Sequence, residues 1–162
     1  MKVLRRQANS YNCIICGMEN KFGVKAPFYE MEDGTVVTLF KYDFLHQSYP
    51  ERTHGGMITC MLDELIGRAI WIQEPNTWGV TTSLNVKFRK PVPYGVELKG
   101  IGRIITNSPR GFEGTGEIYD MDGNLLASCS AFYFKLPVNK LVSSKEHEDF
   151  NYIVPNDREE ID

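Results

Sequence analysis

His54-Gly55-Gly56-Met57-Ile58-Thr59-Cys60-Met61-Leu62-Asp63-Glu64 puts two glycines where a loop turns into a helix, then a carboxylate inside an otherwise apolar segment. A helix start exposes unpaired backbone N–H groups and the positive end of the macrodipole. Gly55 and Gly56 can therefore hold a carbonyl oxygen that is gaining charge. An acid embedded among Met, Ile, Leu and Trp is costly to bury without a reason. Together the two features predict a site that polarises a carbonyl and attacks it.

The apolar spacing predicts a helix over about 55–72, ended by Pro75-Asn76, with Thr53 and His54 as the nearest possible caps. At about 100° per residue, Met57, Ile58, Met61, Leu65, Ala69 and Ile72 gather on one side as a core stripe. Asp63 falls opposite, beside Gly56, Thr59, Cys60, Ile66, Gly67 and Ile70. That face is mostly small. Gly67 costs a helix about 1 kcal/mol against Ala, which reads as room left for another chain or a ligand. Glu64 stands four residues before Arg68, the favourable order for a surface ion pair.

Outward from the helix, strands are expected over 23–31 and 35–42, joined by Glu32-Asp33-Gly34, with a loop over 43–54. After Trp78 the period changes to two: positions 80, 84, 86 and 88 are apolar and 81, 83, 85 and 87 polar. Further strands are read over 96–106, 112–120 and 124–136, with Asn107 to Gly111 and Met121-Asp122-Gly123 as turns. Two strands, one long helix and a meander make an α+β fold with the helix on one face of an antiparallel sheet. Residues 1–137 form one domain, opened by a turn-rich segment over 1–22. Residues 138–162 form a polar tail whose docking residues would be Phe150, Tyr152, Ile153 and Val154.

A chain of 162 residues fits one domain. With a net charge of −3, a pI near 5.7 and a mean hydropathy of −0.30, nothing favours nucleic acid or an anionic membrane as partner. No apolar run reaches the roughly 20 residues a membrane helix needs, and no secretory leader is legible, so a cytoplasmic location is expected. Cys13 and Cys16 form a CxxC, but zinc wants about four ligands and no second CxxC or CxxH exists. Reduced structural thiols are the expectation there, with zinc and redox chemistry as the lesser readings. Cys60 and Cys129 read as small core residues.

Several ordered segments resemble one family, the hot-dog-fold thioesterases, and within it the phenylacetic-acid-degradation type of acyl-CoA hydrolase. Cys13-Ile14-Ile15-Cys16-Gly17-Met18-Glu19-Asn20 is similar to its N-terminal pattern, and His46-Gln47, Pro50 and His54-Gly55-Gly56 are similar to its loop. Leu62-Asp63-Glu64 resembles its acid-bearing helix, Leu84 to Pro93 its central strand and exit turn, and Asp122 to Ala127 its final hairpin. The resemblance spans about residues 12–136.

It implies a hot-dog fold, five or six antiparallel strands wrapped around one long central helix, in homodimers or dimers of dimers with active sites between subunits. The catalytic residues it implies are Asp63 as nucleophile or general base, and Gly55 or Gly56 as holder of the thioester oxygen. His54 shapes the loop, and Thr81 positions the acid or water. Gln47 and Ser48 would touch substrate, although Ser48 replaces the family's usual Gly. Lys87, Arg89 and Lys90, with Arg103 and Arg110, are the candidates for the CoA phosphates. The expected activity is hydrolysis of an acyl-CoA to free acid and CoA, needing no metal or organic cofactor. A non-catalytic acyl-CoA-binding protein on the same fold is the alternative, and a dehydratase is disfavoured because His46 and His54 do not obviously supply its acid–base pair.

Overall fold

The computed structural model describes residues 1–75, 77–137, 140 and 153–162. Helix α1 (Gly55–Gln73) runs unbroken through the proline-free apolar segment and stops at Glu74. Among the described residues seven strands form one sheet: β1 (Val3–Arg6), β2 (Tyr29–Met31), β3 (Val36–Phe40), β4 (Trp78–Phe88), β5 (Leu98–Asn107), β6 (Gly111–Asp120) and β7 (Leu125–Leu136). Their order is β1-β2-β3-β5-β6-β7-β4, with every pairing antiparallel. The expected α+β architecture is what the chain adopts: one long helix packed against an antiparallel sheet. Among the described residues no helix is long and apolar enough to cross a membrane.

Glycines in β5 and β6 let the helix settle against the sheet. A Cβ on Gly102 would lie 2.4 Å from the Leu65 carbonyl oxygen, and one on Gly114 would lie 2.5 Å from the Ile66 side chain. Because α1 packs against five strands, β3 to β7, burial extends well beyond the predicted stripe. Leu62, Ile66 and Ile70 are fully buried, whereas Ile66 and Ile70 were expected on the open face. What stays open is narrower: Gly56 and Cys60 are exposed, and Thr59, Asp63 and Gly67 are half-buried. Cys60 is thus not a core residue, while Cys129 is.

Other differences have local causes. The strand expected over 23–31 shortens to β2 because Val24 and Ala26 donate their N–H groups to Ile14 and Ile15 carbonyls, tying that stretch to the CxxC loop. Strand β1 escaped the sequence reading because only Val3 of its four residues is buried, and it takes the sheet to seven strands. The turns at Gly34 and Gly123 fall as expected, both with positive φ. Phe150 and Tyr152 of the tail lie outside the described residues, and Ile153 is exposed. Docking there falls instead to Asp157, bonded by Tyr29 and Arg6, and to Ile161, buried against Val3, Tyr29 and Met31.

Strand β4 lies at one end of the sheet and pairs only with β7 among the described residues. The outer edge of this eleven-residue strand is therefore a template for strand pairing with another chain.

Candidate active site

Asp63 sits in the third turn of α1 and points at the β4–β7 end of the sheet. Its Oδ1 accepts two hydrogen bonds, from the Tyr133 hydroxyl at 2.7 Å and the Thr81 hydroxyl at 2.8 Å. The Tyr133 hydroxyl also lies 2.9 Å from the Asp63 carbonyl oxygen. Asp63 Oδ2 takes no partner among the described residues. Tyr133 is buried and stacked on Phe112 at 4.7 Å between centroids. Burial first, then the neighbouring Asp63, push its phenol well above the ordinary range, so it stays a donor.

A register shift in the β4–β7 ladder explains how Thr81 reaches the acid. Thr81 pairs with Tyr133, Ser83 pairs with Phe132, and Thr82 is the extra residue of a bulge. The bulge reverses the alternation: Leu84 and Val86 pack toward the core as expected, but on the far side of Thr82 it is Thr81, not Val80, that turns toward the helix. Strict alternation groups Thr81 with Ser83 on the polar face and misses this. Tyr133 was missed altogether. Its signal is chemical: the inward residues of β7 are Ala127, Cys129, Ala131 and then a tyrosine, whose buried hydroxyl must find a partner.

The acid opens into a cavity of about 190 Å³ whose wall includes Gly67, Trp71, Trp78 and Thr81. The two indoles meet edge to face at 5.4 Å. A Cβ on Gly67 would touch only the Tyr133 ring, at 3.9 Å, so this glycine keeps the cavity open. Across the same cavity lie Cys13, Cys16 and Glu64, whose sulfur and carboxylate atoms all fall within 4.8 Å of one another. Glu64 makes the expected i,i+4 pair with Arg68 at 2.7 Å, but the pair is sunk in this pocket and not on the surface. Burial raises the Glu64 carboxyl to about 7. The bond to Cys16 lowers the Cys13 thiol to about 7, and the same bond together with burial lifts Cys16 to about 12.

The helix start is a separate place. His54 is the N-cap, its Nδ1 accepting the Gly56 N–H at 2.9 Å, and a Cβ on Gly56 would crowd that ring at 3.0 Å. The Gly56 N–H is therefore occupied. Those of Gly55 and Met57 have no partner among the described residues. Gly55 faces a depression of about 400 Å³ shared with Arg52, Phe88, Arg89 and Lys90. Eight helical residues separate Gly55 from Asp63, which is about 12 Å of rise. One chain thus carries a helix start with open N–H groups and a held acid, but not facing each other.

The remaining predicted residues scatter. Lys87 borders another depression with Asn85 and Ser128, Arg103 is paired to Glu117 at 2.6 Å, and Arg110 is exposed in the β5–β6 turn. Gln47 Oε1 accepts from Tyr94 at 3.5 Å, and the exposed Ser48 donates its N–H to Arg52; neither borders the Asp63 cavity or the Gly55 depression. His46 Nδ1 accepts the Asp43 N–H, so Nε2 carries the proton and donates to Phe22 O at 2.7 Å. This histidine is spent on the loop.

Residues 51–127 match the model of the thioesterase superfamily. No curated protein matches the chain. Among solved structures it is similar to a thioesterase superfamily protein at 23% identity and TM-score 0.69, over 75% of this chain and 62% of that one. The chain thus spans less than two thirds of that neighbour. A protein from Bacillus halodurans solved with CoA is similar at 25% identity and TM-score 0.60, over 67% of this chain and 72% of that one. A phenylacetic acid degradation-related protein from Ralstonia eutropha is similar at 21% identity and TM-score 0.61, over 68% and 85%. The helix start, the acid-bearing helix and strands β4 to β6 all lie inside the segment that matches the thioesterase superfamily model.

Proposed function

We propose that this protein hydrolyses an acyl-CoA thioester to free acid and CoA at sites shared between two copies of the chain. The observation that carries the reading is the state of Asp63: two hydroxyls hold one carboxylate oxygen and leave the other free, facing a cavity. The helix start of the partner copy supplies what that site lacks. Free N–H groups at Gly55 and Met57, at the positive end of a 19-residue helix, stabilise the oxygen of the tetrahedral intermediate. Asp63 Oδ2 acts on the thioester carbon directly or through a water, and thiolate leaves. The 12 Å of helix between the two groups, and the unpaired edge of β4, support assembly by pairing β4 strands across a homodimer.

Trp71 and Trp78 form the apolar wall for the acyl group. Arg89, Lys90 and Arg52 beside Gly55 suit the phosphates of CoA, the ligand that the Bacillus halodurans neighbour carries. The test is thiol release from a panel of aryl and medium-chain acyl-CoAs. The wild-type chain turns over at least one of them, and Asp63→Ala, folded by circular dichroism, loses at least about 100-fold in kcat. An Asp63→Ala variant with the full rate, or tight CoA binding without turnover of any thioester, overturns the reading.

A further inference from the structure

The Cys13–Cys16 pair is not used by the proposed chemistry, yet the loop around it is built with care. Cys13 Sγ accepts the backbone N–H of Ile15 at 3.3 Å and of Cys16 at 3.4 Å. Ser10 Oγ lies 3.3 Å from Cys16 Sγ and accepts the Cys13 N–H, which leaves its own hydrogen for the sulfur. Gly17 donates to the Cys13 carbonyl, and a Cβ at Gly17 would lie 2.3 Å from that oxygen, so the turn after the pair requires glycine. Asn9 clamps the loop by donating to the carbonyls of Cys16 and Ala26. Cys13 Sγ thus receives two backbone donors and Cys16 Sγ lies against the Ser10 hydroxyl, an outer shell of the kind that orients metal ligands.

Glu64 comes to the pair from the helix, 51 residues away in sequence. Arg68 Nε holds its Oε1 at 2.7 Å, which leaves Oε2 turned to Cys13 Sγ at 3.8 Å. Two donors on one tetrahedral zinc, with sulfur at about 2.3 Å and oxygen at about 2.1 Å, stand about 3.6 Å apart. The Cys13–Glu64 spacing therefore needs little adjustment, and the whole cluster, within 4.8 Å, needs about an ångström of contraction. Charge closes as well: two thiolates and a carboxylate carry three negative charges, offset by one divalent cation and one guanidinium. Arg68 is itself pinned by the Ala8 carbonyl and by the faces of Phe28 and Trp71, so it neutralises the cluster without leaving its place.

We propose that Cys13, Cys16 and Glu64 bind a zinc-class divalent cation, clipping the N-terminal loop to α1 with a fourth position open to the Asp63 cavity. Two soft sulfurs with one carboxylate select zinc over magnesium or calcium, which take oxygen ligands. Binding releases the thiol protons to solvent as two metal–sulfur bonds form. The inference stands apart from the hydrolysis reading, since metal uptake is read without turnover.

The experiment is titration of the full, reduced chain with Co²⁺ and then Zn²⁺ under inert gas. One equivalent of Co²⁺ should give thiolate-to-metal charge-transfer absorption and strong visible bands of tetrahedral geometry, and one equivalent of Zn²⁺ should bleach both. Cys16→Ser should abolish the spectrum, Glu64→Gln should weaken binding at least about tenfold, and Cys60→Ser should bind as wild type. Zn²⁺ should raise the melting temperature of wild type and not of Cys16→Ser. Absence of stoichiometric uptake by the reduced wild-type chain overturns the proposal, as does unchanged affinity in Glu64→Gln. The wild-type titration and Glu64→Gln decide the matter even where Cys16→Ser fails to fold.

Discussion

Replacing Tyr133 by Phe removes one hydroxyl and leaves the ring stacked on Phe112, so it isolates what that hydroxyl does for Asp63. The bond lost is a short one to a carboxylate, 2.7 Å, with the backbone carbonyl at 2.9 Å sharing the same hydrogen. Counted once, a hydrogen bond to a charged group contributes about 2 kcal/mol, equivalent to about 30-fold in rate. The loss should fall on kcat because Thr81 alone cannot fix both position and rotation of the carboxylate, and small misplacements of a reacting group are costly. Steady-state thiol release should therefore show kcat down about 30-fold with KM within about twofold of wild type. Thr81→Val should act in the same sense. Because both hydroxyls donate to Oδ1, the double variant should depart from additivity by about 0.5 kcal/mol or more. A Tyr133→Phe variant with normal melting behaviour and kcat within about threefold of wild type would refute the positioning argument.

Three further outcomes test the fold and the cluster. Gly102→Ala drives a methyl into the Leu65 carbonyl, where 2.4 Å is available, and should cost about 1–3 kcal/mol in denaturant unfolding. Gly67→Ala meets only the Tyr133 ring at 3.9 Å, and should stabilise by about 0.5–1 kcal/mol on the same measurement while narrowing the cavity. In the metal-free chain Cys13, lowered to about 7, should be alkylated with a rate that rises through neutral pH and levels off above it. Cys16, lifted to about 12, should stay unmodified across that window, as mass spectrometry of the labelled peptides would show.

The fold was legible because its signals are long. A 3.6-residue period across 55–73 and a two-residue period beyond Trp78 gave the helix and the central strand within a residue or two. Short or polar edges gave little: β1 buries only Val3, and β2 is cut to three residues by contacts to a loop far behind it in sequence. At the site the sequence pointed to Asp63 and to the glycine start, since each breaks a local rule. It could not show that Gly56 is already occupied by His54, because that depends on a side-chain rotamer. The side of Thr81 was hidden by a bulge, which changes parity without changing composition. Glu64 read as a surface partner of Arg68, and its meeting with Cys13 and Cys16 is a product of tertiary packing alone.

Sharing of each site between two copies is tested most directly by mixing two inactive chains. Asp63→Ala removes the acid. Gly55→Pro removes a backbone N–H at the first helical position, where proline is tolerated, where His54 already has the extended backbone that precedes proline, and where an added Cβ would meet only the Phe88 ring at 3.4 Å. If Gly55 of one copy serves Asp63 of the other, a mixed dimer restores one intact site of its two. Random co-assembly of equal amounts should then return about a quarter of wild-type activity from two inactive parents. Recovery near that level, appearing only after subunit exchange, is the predicted result. A mixture that stays as inactive as its parents, although exchange is verified by mass, would contradict the account.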